Sequence, residues 1–124
     1  MELRRCWLIR PDEVVLIGFG IMAQRKRPVA PTPLVVEVQA LRIGELAIVA
    51  VPGEPFAEIG VAVRKASPFA FTMFCGYSDG VGGDYVPTSE EYAFGGYEVE
   101  CTPYGPGAAE KIIDSASKLL QSLR

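Results

Sequence analysis

Histidine is missing from the chain altogether: there are 0 among 124 residues. The commonest general base and the commonest zinc-ligating side chain therefore cannot come from this sequence, so acid-base or metal chemistry within it has to run on carboxylates, phenols or thiols. Cysteine is sparse. Cys6, Cys75 and Cys101 are odd in number, far apart and without CxxC spacing, which points to reduced, buried thiols rather than a disulfide framework or thiolate zinc site. Positive charge is thin as well, with 12 Lys and Arg against 15 Asp and Glu for a net charge of −3 and a pI near 5.0. Phosphate binding needs a clustered cationic excess, so nucleic acid is not expected. The one basic run, Arg25-Lys26-Arg27, reads as a solvated loop ahead of Pro28. Long apolar runs are absent too. None approaches membrane-spanning length, and the start MELRRCWLIRPDEV holds an apolar run before Arg10 too short for a signal-peptide core. A cytoplasmic protein is the default expectation.

What is present is ordinary globular composition, 49% apolar and 22% charged, with 13 Gly and 10 Pro. A folded, loop-rich single domain follows, and disorder does not. Val14-Val15-Leu16-Ile17 reads as a short buried strand, and the stretch from Arg25 to Pro33, with Pro28, Pro31 and Pro33, as an extended linker. Residues 1–33 thus stand apart from residues 34–124, which carry the clearer pattern. Leu34 to Ile43 alternates, with Val36, Val38, Ala40 and Arg42 on one face. Gly44-Glu45 turns it into the apolar run Leu46 to Val51, a hairpin whose second strand should be central and covered on both sides. Pro55 to Lys65 carries a helical stripe of Phe56, Ile59, Gly60 and Val63, with Pro55 suited to the first helical position and Ser67-Pro68 as the stop. Phe69 to Gly76 is a further strand. Thr88 and Glu91 offer a capping box for a short helix ending at Gly95-Gly96. After Gly105-Pro106-Gly107 comes the longest amphipathic helix, with Ala109, Ile112, Ile113, Ala116, Leu119, Leu120 and Leu123 on one face. The expected fold is α/β: a mixed sheet, hairpin plus further strands, covered by two or three helices.

Three stretches invite a chemical reading. Gly18-Phe19-Gly20-Ile21-Met22-Ala23 fits a dinucleotide fingerprint after a strand, with Glu37 where a ribose-binding acid would stand. Pro28, however, ends any crossover helix after a turn or two, and a glycine-rich turn accounts for the match better. The loop GYSDGVGGDY lacks a Walker-type Gly-Lys-Ser/Thr, so phosphate cradling is unsupported, although a loop of this kind marks a functional place. The third is VPGEPF, in which Glu54 sits between a glycine and a proline. The residue is either a negative charge at a helix start, favoured by the macrodipole, or a side chain at the carboxyl end of a central strand, where it could bind a metal or act as a base.

Val51-Pro52-Gly53-Glu54, followed by DYVPTSEEYAFGGYE from Asp84 to Glu98 and by Tyr104-Gly105-Pro106-Gly107, resembles the end of the catalytic domain of the neutral/alkaline ceramidase family, more closely its bacterial ceramidase-like branch. EVQALRIGELAIVAVPGE and Ala66-Ser67-Pro68-Phe69 fit the same branch, so the resemblance covers about residues 34–123. In that family zinc activates water to hydrolyse the amide of ceramide, and the metal is held by two histidines, a glutamate and a tyrosine. The resemblance implies Glu54 and Tyr85 as zinc ligands and Tyr97 as a tyrosine near the site. The histidine ligands belong to an earlier part of the family's domain that this chain lacks. The implied protein is therefore a fragment or truncated relative of a zinc-dependent amide hydrolase, inactive and metal-free by itself, its partner the missing N-terminal catalytic portion or copies of itself in a homo-oligomer. A stand-alone binding or assembly module is the competing expectation. Two departures bear on the substrate: Pro55-Phe56-Ala57-Glu58-Ile59-Gly60 replaces a Thr- and Arg-rich helix start, and Gly107 stands where the family has histidine.

Overall fold

The two-residue loop Gly44-Glu45 closes a hairpin between β2 (Val38–Ile43) and β3 (Leu46–Ala50). Gly44, at φ 60°, takes the first loop position, where type II′ turns need a residue free to adopt positive φ. The computed structural model describes residues 2–6, 35–78 and 84–124. Within them, β1 (Glu2–Cys6) joins the hairpin antiparallel to β2, and β5 (Phe71–Cys75) lies parallel to β3 on the other side. The result is a mixed four-stranded sheet in the order β1-β2-β3-β5, with α1 (Ala57–Ala66) as the crossover between its parallel strands. A second, two-stranded sheet pairs β4 (Glu54–Pro55) with β6 (Tyr85–Val86), also in parallel. A single 3-10 turn (Glu91–Ala93), α2 (Tyr97–Cys101) and α3 (Ala108–Ser122) complete the chain.

Strand alternation decides what is buried. Val38 and Ala40 on β2, with Ala47 and Val49 on β3, face α1 and α3 and are all but fully buried. The helices answer with Ile59 and Val63 from α1 and Ile112, Ala116 and Leu120 from α3. Each large aliphatic side chain enclosed this way contributes about 1.5–3 kcal/mol. Gly60 lets α1 lie close to β5, since a Cβ there would stand 3.0 Å from the Phe74 ring. Arg42 lies on the same face but at its rim. Its guanidinium donates to the Leu123 carbonyl at 2.9 Å and lies 5.1 Å from the centre of the Phe69 ring. A cation thus meets the carbonyl-rich end of α3, where the helix dipole favours it.

The α/β class, the hairpin, the crossover helix and the long C-terminal helix agree with the sequence reading. Four details differ. Pro55 is not the first helical position: α1 begins at Ala57, and Pro55 pairs with Val86 in the small sheet. β3 is central but covered by helices on one face only among the described residues, because the neighbouring odd-numbered positions Phe71 and Met73 are 66% and 52% exposed. The Thr88/Glu91 capping box does not form: the Glu91 N–H bonds to the Thr88 carbonyl, and only a 3-10 turn follows. α2 went unread, since YEVEC is one turn and a half, too short to show a helical period. The strand expected at Val14–Ile17, the segment from Gly18 to Ala23, the segment from Arg25 to Pro33 and residues 79–83 of the glycine-rich loop lie outside the described residues.

Candidate functional site

The carboxyl ends of the parallel pair β3 and β5 are where ligands gather in α/β sheets, and here both chains turn into the same spot. After β3, Val51 is fully buried and its N–H bonds to the Cys75 carbonyl at 2.9 Å. After β5, the Tyr77 N–H reaches the Gly53 carbonyl at 2.8 Å and the Ser78 N–H the Val51 carbonyl at 3.0 Å. Gly76 permits this crossing: a Cβ on it would stand 2.9 Å from Pro55 Cδ.

Glu54 is therefore part of a strand. Its Cα partner is Tyr85, its N–H bonds to the Asp84 carbonyl at 3.0 Å, and the Phe56 N–H continues the ladder to the Val86 carbonyl at 3.1 Å. Residues directly opposite in a ladder put their side chains on the same face, so the carboxylate and the phenol stand side by side. Of the two sequence readings of Glu54, the helix-start charge falls away, because the acidic residue in the first turn of α1 is Glu58. The described ends of GYSDGVGGDY, Gly76-Tyr77-Ser78 and Asp84-Tyr85, both run beside the Gly53-Glu54 backbone.

Tyr97, at the start of α2, stacks edge-on against Tyr85 with ring centres 5.9 Å apart and planes at 75°. Its hydroxyl is turned toward Cys101 one helical turn on, and the ring is 63% exposed. The sheet and α2 are tied by Thr102, whose hydroxyl donates to the Tyr85 carbonyl and accepts from the Tyr104 N–H at 3.1 Å. The Tyr92 hydroxyl donates to the Tyr104 carbonyl at 2.6 Å. Sequence reasoning missed Tyr77, whose phenol interacts with the Glu54 carboxylate. It is also the only non-glycine at positive φ among the described residues, at 53°.

The electrostatics follow from Glu54, the anion that acts on all three phenols, with Glu98 adding to the push on Tyr85 and Tyr97. The hydrogen bond to Glu54 pushes the Tyr77 phenol above its usual range, and the negative charge of Glu54 does the same to Tyr85. The hydrogen bond with Cys101 is the largest of the influences raising Tyr97. At neutral pH all three are protonated, and the cluster offers one carboxylate and three O–H donors on an exposed rim. Among the described residues no group of three or more His, Cys, Asp or Glu side chains comes together.

Comparison with known proteins bears on this corner of the fold. Neutral ceramidase of Pseudomonas aeruginosa is 38% identical to the chain over 112 residues, covering 85% of the chain and 16% of that protein. Its crystal structure superposes with a TM-score of 0.66 at 31% identity, over 77% of the chain and 17% of that structure. The chain is a relative of the neutral ceramidases. It spans about a sixth of the length of the curated relatives it matches, and is a fragment of a ceramidase-like protein. Neutral ceramidase 3 of Arabidopsis thaliana, 31% identical over 132 residues, is matched across 98% of the chain and 17% of its own length, so the likeness to the ceramidases reaches into residues 1–33. No family model matches the chain.

Proposed function

We propose that this chain carries the carboxylate and tyrosine part of a ceramidase-like zinc amidohydrolase site, and that it lacks amidase activity when alone. The observation that carries this reading is the register of the small sheet, which sets Glu54 opposite Tyr85 beyond the carboxyl ends of β3 and β5. A carboxylate and a phenol are hard oxygen donors that zinc accepts. Bound there, the metal would supply a water acidic enough to attack an amide near neutral pH. Two donors are fewer than the three protein ligands of catalytic zinc sites, and the sequence has no histidine to add. The residues present therefore do not make the complete site.

What the chain's own residues contribute is placement. Glu54 and Tyr85 are fixed through the backbone of β4 and β6, Tyr97 packs against Tyr85, and the Tyr77 phenol interacts with Glu54. The acyl substrate is an amide by family, and the altered stretch from Pro55 to Gly60 leaves ceramide as one member of that class. Metal analysis of the purified chain tests the reading. After dialysis against zinc and then buffer, well under one zinc per chain is expected, with no release of fatty acid from ceramide. Stoichiometric zinc in a monomer, or measurable hydrolysis, contradicts it. A non-enzymatic assembly module is the second reading, favoured by the apolar sheet face that the helices leave open.

A further inference from the structure

Thr102 is buried, at 5% exposure, and its hydroxyl serves both as donor and as acceptor to backbone groups of other segments. The carbonyls of Asp84 and Val86 accept from the β4 backbone. Successive carbonyls of a strand point to opposite sides, so the Tyr85 carbonyl between them faces away from β4. Among the described residues β6 has no second strand beside it, and such an edge leaves backbone groups unpaired. The Thr102 hydroxyl donates to that carbonyl in place of a strand. Its oxygen also accepts from the N–H of Tyr104, a core residue that is 1% exposed.

We infer that Thr102 is a positioning residue for the corner formed by Glu54, Tyr85 and Tyr97, and that it acts by fixing where α2 sits. A helix of five residues is too short to persist unaided, none of the five is fully buried, and no side chain caps its start. Gly95 and Gly96, at φ 70° and 104°, lead into it. The firm attachment is its carboxyl end, where Thr102 follows Cys101 and bonds to β6. One hydroxyl thus sets the strand that carries Tyr85 against the helix that begins with Tyr97, and with it the edge-on contact of the two rings, 5.9 Å apart. Without that hydroxyl the Tyr85 carbonyl and the Tyr104 N–H lose their partner, a cost relieved when α2, the least anchored element, moves and lets water reach them. The functional weight of this role rests on the reading of Glu54 and Tyr85 as a ligand pair; the ring contact itself does not.

Proton NMR of the chain tests this with neither metal nor substrate, so its outcome is separate from that of the zinc analysis. In the wild type, nuclear Overhauser peaks should join the Tyr85 and Tyr97 rings, and the Tyr104 amide should exchange as slowly as the Ile112 and Leu120 amides of α3. Thr102→Val, close in shape but without the hydroxyl, should lose the ring-to-ring peaks while the Ile112 and Leu120 methyl shifts stay in place. Thr102→Ser, which keeps the hydroxyl, should retain the peaks. Ring peaks that survive in Thr102→Val beside an unchanged core overturn the inference, as does a Thr102→Ser variant that loses them equally. If Thr102→Val disturbs the core as well, Thr102→Ser and the wild-type Tyr104 amide decide, and an amide that exchanges freely overturns the inference.

Discussion

Tyr77 holds a backbone conformation that costs an ordinary side chain on the order of 1 kcal/mol or more, because Cβ crowds the carbonyl at positive φ. Two backbone hydrogen bonds beside it, to Gly53 and Val51, keep it there. Asparagine tolerates this region without the added unfolded-state freedom of glycine. Tyr77→Asn should accordingly raise the urea midpoint by the equivalent of about 0.5–1 kcal/mol, while Tyr77→Phe leaves it near wild type. Tyr104 makes the converse point. Its ring is buried, yet its hydroxyl has no hydrogen-bond partner among the described residues. Burial, with a smaller push from Asp84, raises its pKa to about 12. An unfolded tyrosine ionises near 10, so between about pH 10 and 12 the folded state holds a proton that the unfolded chain has lost, and stability falls as pH rises through that window. Tyr104→Phe removes an unsatisfied hydroxyl. It should stabilise the protein by about 1 kcal/mol at neutral pH and flatten its alkaline loss of stability, as thermal melts across pH would report.

Among the elements, the hairpin, α1 and α3 were legible because their signals are local. Gly44 marks the turn, β2 alternates, and α3 repeats its apolar residues over four turns. The small sheet was not legible. β4 and β6 are two residues each and carry no period; what defines them is their long-range pairing, beside the close approach of Gly76 to Pro55, which no window of sequence contains. For the same reason the placement of Pro55 was misread, since proline before an amphipathic stretch has the look of a first helical residue. The coverage of β3 was misread because an apolar run reports what a strand could bury, not what is present to bury it. Gly76 is the hinge of the small sheet. Gly76→Ala should push Pro55 away, cost about 1–3 kcal/mol by overpacking, and separate Glu54 from Tyr85, which would weaken the β4 to β6 amide cross-strand contacts seen by NMR.

Over the whole molecule, Glu54, Tyr85 and Tyr97 were singled out by likeness to a family, and the fold brings all three to one corner. Local sequence leaves Glu54 undecided between a helix start and the carboxyl end of a strand, because the deciding fact is its pairing with a residue far along the chain. Tyr77 escaped notice because a tyrosine in a glycine-rich loop carries no pattern; only its backbone angle and its proximity to Glu54 set it apart. The four-stranded sheet supplies the platform, and the carboxyl ends of β3 and β5 supply the site, as in other α/β folds. Among the described residues the helices cover one face of that platform, in a chain that spans about a sixth of the length of its relatives. The side-by-side placement of Glu54 and Tyr85 is the point on which this account turns, and a pH titration of the tyrosine ring carbons by NMR, wild type against Glu54→Gln, tests it most directly. Removing the negative charge should lower the Tyr85 and Tyr77 midpoints toward the usual value and leave Tyr92 and Tyr104 where they are. A Tyr85 midpoint that does not move when Glu54 is neutralised would contradict the account.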